Sequence, residues 1–107
     1  MSVPDRLRAD LAFAMRARDK TEVSMIRTLI GAIENAEAVE GESSIDPKIG
    51  LNHDLPRKIL TDEDVVHILS LERSETAAAA DGYQEMGLAD EAEELVRRVR
   101  IIDRYLS

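Results

Sequence analysis

The apolar residues of this chain recur at intervals of three and four. Val23, Ile26, Leu29, Ile30, Ile33 and Ala36 do so in one stretch; Leu88, Ala92, Leu95, Val99, Ile102 and Leu106 do so in another, stepping by four and three alternately. An α-helix turns once every 3.6 residues, so this spacing gathers the side chains onto one face, whereas a strand needs strict alternation, and none is found. A chain built this way must hide helical stripes against one another, so the expected fold is all-α.

Punctuation divides the chain into four such helices. Pro4 fits a first-turn position behind Ser2 or Val3, Asp5 suits the positive end of the helix dipole, and Leu7, Leu11, Ala14 and Met15 share a side, so a first helix is predicted over residues 4–18. A charged break from Arg16 to Lys20 precedes the second helix, which runs to about Ala38. Between Val39 and Leu60 the period stops, and Gly41, Ser43, Ser44, Pro47, Gly50, Asn52 and Pro56 supply turn chemistry. Residues 39–60 are therefore expected to form a mobile loop, longer than the connections usual inside a compact domain.

Thr61 before Asp62, Glu63 and Asp64 reads as a capped helix start. The third helix has Val65, Ile68, Leu69 and Leu71 on its early apolar side and the less well-packed Ala77 to Ala80 beyond, and it is expected to reach Met86 before Gly87 ends it. Gly82 offers a kink or an early end near Ala80 as the alternative. Asp90 with Glu93 resembles a capping box for the fourth helix, and a joint at Gly87 to Ala89 makes helices three and four a long antiparallel hairpin. Leu11, Ile26, Ile30, Ile33, Leu69, Leu95, Val99 and Ile102 are the expected core. At 107 residues one domain spanning 1–107 is expected.

Several kinds of chemistry are excluded by what is missing. Without cysteine there is no thiolate nucleophile, disulfide or sulfur-ligated metal. No glycine-rich phosphate loop occurs. His53 and His67 do not form a zinc-binding helix pair, and no serine has a histidine at a recognisable spacing. The acids Asp62 to Asp64 and Glu91, Glu93 and Glu94 are explained by first-turn stabilisation. No catalytic, cofactor or metal residue is expected. Charges at Asp5, Arg6, Arg8 and Asp10 interrupt any leader, and no apolar run is long enough to span a bilayer, so a cytoplasmic protein without membrane contact is expected.

The net charge of −8 is unevenly spread. Residues 1–36 carry six basic and five acidic groups, residues 37–96 four and sixteen, and residues 97–107 four and one. A basic face can thus coexist with an acidic total. Arg97, Arg100 and Arg104 fall on one face of the last helix, to meet phosphate or to pair with Asp81, Glu85, Glu91 or Glu94. Arg27 sits on the most apolar helix, either bordering the core with a carboxylate partner or serving as a binding residue. Arg16, Arg18 and Lys20 complete the candidates. They are favoured over Arg100 and Arg104, because an antiparallel fourth helix would bring its C-terminal half beside Asp62 to Asp64.

Leu7-x3-Leu11 followed by Ala14-Met15-x2-Arg18-Asp19-Lys20, Ser24-x-Ile26-Arg27-x-Leu29-Ile30-x-Ala32-Ile33-x-Asn35-Ala36-Glu37, Leu60-Thr61-Asp62-Glu63-x-Val65 and Asp103-x-Tyr105-Leu106 together resemble the N-terminal helical domain of the GatB/YqeY family, over nearly the whole chain apart from 39–59. The resemblance implies a helical domain shared with the carboxy-terminal part of the B subunit of tRNA-dependent amidotransferases. It further implies an accessory role tied to tRNA or to an amidotransferase complex, under the family label of carbon–nitrogen ligase with glutamine as amido donor. The acidic centre and the Ala77 to Ala80 stretch support an alternative, a protein-interaction domain with no nucleic-acid role.

Overall fold

A computed structural model describes residues 1–38 and 58–107; the expected loop, and His53 within it, fall largely outside the described residues. Four α-helices follow one another: α1 (Val3–Ala17), α2 (Lys20–Glu37), α3 (Asp62–Glu85) and α4 (Ala89–Leu106), with no strand among the described residues. None of these helices is long and apolar enough to cross a membrane.

Local chemistry explains most of the boundaries. Ser2 caps α1 by accepting from the Asp5 N–H at 3.2 Å, with Pro4 in the first turn. Thr61 and Asp64 form a reciprocal capping box at the start of α3, which holds the Asp64 carboxyl below its usual range through the Thr61 backbone N–H. α3 runs unbroken through Gly82, whose carbonyl still accepts from the Met86 N–H at 3.2 Å. The expected cap at Asp90 is not formed. Gly87 takes φ +77° and turns the chain so tightly that Leu88 is already the N-cap, so Asp90 lies in the first turn, where it meets the dipole without capping.

The helices pair as two hairpins, α1 with α2 and α3 with α4. Between them lie Leu7, Ile26, Leu29, Leu69 and Ile102, all fully enclosed, with Met25, Ile33, Val65, Ile101 and Tyr105 around them. The expected Ile26, Ile33, Leu69 and Ile102 are there. Leu11 and Ile30 are only half-buried against the cluster, and Leu95 and Val99 are half-buried outside it. The seam through Leu95 and Val99 follows contact with α3 alone; because α1 and α2 also cover α4, its buried face turns toward Ile101, Ile102 and Tyr105. The Tyr105 hydroxyl donates to the Asp10 carboxylate at 2.5 Å, and burial together with that bond pushes its pKa up. In the second half of α3 only Ala80 is buried, consistent with a lighter packing there.

Candidate nucleic-acid interface

The joint between α1 and α2 is built on an unusual backbone position. The Arg18 N–H donates to the Met15 carbonyl and the Asp19 N–H to the Ala14 carbonyl, both at 3.1 Å, the two bonds of a Schellman motif. Its left-handed residue, ordinarily glycine, is Arg18 at φ 57°, the one non-glycine with positive φ among the described residues. The equivalent motif between α3 and α4, with Gly87 and Leu88 donating to Gln84 and Tyr83, uses glycine. A side chain is therefore retained at the first joint against a conformational cost of about 1 kcal/mol.

That side chain lines an open groove of about 730 Å³ along the outer face of α2. Lys20, Ser24 and Arg27 stand one helical turn apart, with Val23 and Thr28 beside them and Met15 reaching across from α1. Arg27 forms no ion pair among the described residues; its Nη2 rests 3.9 Å from the Met15 sulfur. Met15, expected on the buried side of α1, is 50% exposed and floors the groove. Three cations thus stand on a partly apolar surface with no acid among the lining residues.

Asp19, lying between Arg18 and Lys20 in sequence, does not cancel them. Its carboxylate caps α2 by accepting from the Glu22 N–H at 3.1 Å and meets Arg97 Nη2 at 2.7 Å. The Glu22 N–H, then Arg97, hold its pKa below the usual carboxylate range. Arg104 is paired with Glu22, Arg98 donates to Ser24 Oγ at 3.2 Å, and Thr21 donates to Glu94 at 2.6 Å. Two of the three arginines expected to meet phosphate on α4 therefore clamp that helix to the start of α2.

Asp62 to Asp64 are not what neutralises them. The paired bonds from Arg73 to Asp103 set the hairpin register, and Asp64 lies nine residues further from that contact, about 13 Å along the axis. Arg100 lies toward the other end, exposed, in a smaller depression with Asp90, Glu93 and Glu94. Arg16 is exposed on another side of α1 and does not line the groove. The structure thus brings Arg18, Lys20 and Arg27 together and separates Arg16 from them. The spacing of Lys20, Ser24 and Arg27 at i, i+4 and i+7 was the sequence signal for this grouping; the part played by Met15 had none.

Among the described residues, no three His, Cys, Asp or Glu side chains are grouped to hold a metal ion. A family model described as Yqey-like protein matches residues 4–107. No curated protein and no solved structure matches the chain.

Proposed function

The chain belongs to the Yqey-like protein family, and from that premise we propose that it is a binding module in tRNA-linked metabolism, touching RNA phosphates with Arg18, Lys20 and Arg27. The observation that carries the reading is Arg18. An arginine kept at a left-handed position that favours glycine, and aimed into a groove with two further cations, is better explained by a ligand than by the fold. Phosphate is the chemistry such a cluster suits, since each cation displaces a counterion from the polyanion. The accessory part of the proposal, service to an aminoacyl-tRNA amidation complex in the cytoplasm, rests on the family relation.

The test is a mobility shift with total tRNA across a salt series. Replacing Arg18, Lys20 and Arg27 together by alanine should weaken binding and flatten the salt dependence by up to about 2.7 log units per log of salt, roughly 0.9 for each phosphate that is no longer neutralised. The same slope for both proteins would place the RNA elsewhere on the surface, and no wild-type binding at low salt would end the RNA reading. A second reading is favoured by the tip of the α3–α4 hairpin, where Met86 is 64% exposed and Leu88 41% beside Glu85, Asp90 and Glu91. There the chain would dock a basic protein surface, and a Met86→Ser, Leu88→Ser double variant would lose that partner while binding tRNA normally.

A further inference from the structure

Arg16, set apart from the groove, belongs to another surface. Arg6, Ala9, Phe13 and Arg16 recur at i, i+3, i+7 and i+10 on α1, and so align as one stripe away from the buried Leu7 and Ala14. Ala9, Phe13 and Arg16 are exposed and Arg6 is half-buried. Phe13, the single phenylalanine of the chain, is 68% exposed, with an arginine toward either end. It stands two residues from Met15, hence about 200° around the helix from the groove.

Arg6 is already held in place: its Nη2 donates to the Arg104 carbonyl at 3.2 Å, and its guanidinium lies 5.1 Å from the Tyr105 ring centroid. A guanidinium has five N–H donors, so this anchoring leaves others for a ligand. Asp10, the nearby acid on the α4 side, is engaged by the Tyr105 hydroxyl. Size decides what such a surface can take. A stable protein interface covers about 800 Å² on each partner around a cluster of apolar anchors, whereas this stripe offers one ring and the Ala9 methyl. A membrane-surface helix needs a broad apolar face, and that of α1 is enclosed in the core. One exposed ring between two cations suits a planar, stackable group carried on a polyanion.

We propose that the Arg6–Phe13–Arg16 stripe binds single-stranded nucleic acid, with Phe13 stacking an unpaired base and the two arginines meeting phosphates on either side. The stripe is about 15 Å long, the reach of about four stacked nucleotides. It is independent of the groove and goes beyond the reading given to it.

Because the chain has no tryptophan, Phe13→Trp installs a single reporter at the stacking position. Ten-nucleotide oligo-A and oligo-U should quench its fluorescence saturably, duplex RNA of equal length less so, and heparin, which has charge but no bases, not at all. In the native background Phe13→Ala should weaken oligonucleotide binding roughly 5- to 100-fold, Phe13→Tyr should retain it, and Phe13→Leu should resemble alanine. Phe13 is outside the core, so circular dichroism should be unchanged throughout. Equal quenching by heparin, or leucine binding as well as tyrosine, would overturn the stacking role. Repeating the titration on the Arg18, Lys20 and Arg27 alanine background separates the two sites: persistent quenching supports the stripe even if the groove reading fails, and quenching abolished along with those three cations would assign the oligonucleotide to the groove.

Discussion

Asp19 is the residue on which the α1–α2 joint turns, and its contribution divides into two parts that substitution can separate. As an N-cap its loss costs about 1 kcal/mol, within a range of about 0.5–2. Its ion pair with Arg97 joins side chains that are 27% and 51% exposed, so solvent screens it to about 0.2–1 kcal/mol. Asp19→Ala removes both and should cost about 1.2–2 kcal/mol, a fall of roughly 5–16 °C in melting temperature for a chain of this size. Asp19→Asn keeps a capping oxygen and should cost less than about 1 kcal/mol. In urea titrations a cycle with Arg97→Ala should show coupling below about 1 kcal/mol. Because the folded pKa of Asp19 is depressed, its stabilisation is present above the unfolded value of about 3.9 and lost as pH falls through the lower folded value. Asp19→Asn should flatten the stability curve below about pH 4, leaving the part due to Asp64, which is depressed likewise. Equal losses for the alanine and asparagine variants would show that charge, and not capping, carries the contribution.

Other expectations follow from the same geometry. Leu29→Ala, at a fully enclosed site, should cost about 2–5 kcal/mol by chemical denaturation, and the half-buried Ile30→Ala clearly less; equal costs would mean that α2 presents a different face to the core. Gly82→Ala should stabilise by about 0.5–1 kcal/mol, because a methyl meets open space within a helix, while Gly87→Ala should destabilise by about 1 kcal/mol at positive φ, both read by thermal melting. Arg18→Gly should raise the melting temperature and weaken tRNA binding in the same protein; a loss of both would show the arginine to be structural.

The helices were legible because their signals are local: the spacing on α2, Thr61 before three acids, and Gly87 after Met86. The full core was less so. Sequence spacing identifies a helix's apolar sector, but which edge of the sector is covered depends on its neighbours, and for α4 those are three helices. This is why Leu95 and Val99 gave way to Ile101 and Tyr105. The candidate site was read in part for the same reason. Arg18, Lys20 and Arg27 stood out as basic groups in the sequence, but their separation from Arg16 depends on the left-handed turn at Arg18, and the pairing of Arg97 and Arg104 with Asp19 and Glu22 depends on how the hairpins cross. Phe13 gave no sign at all, since an aromatic beside an apolar stripe reads as core.

The Lys58 N–H donates to the Glu37 carbonyl at 2.7 Å, so the chain leaves the last turn of α2 and returns to the same point before α3 begins. The ends of α2 and of the lead into α3 are therefore joined directly, and their separation does not depend on how many residues stand between Ala38 and Lys58 in the sequence. Lengthening such a connection twofold adds only about 0.6 kcal/mol of closure entropy. The interval between Ala38 and Lys58 is thus the place to splice in a tag, a protease site or a second domain while leaving both hairpins in register.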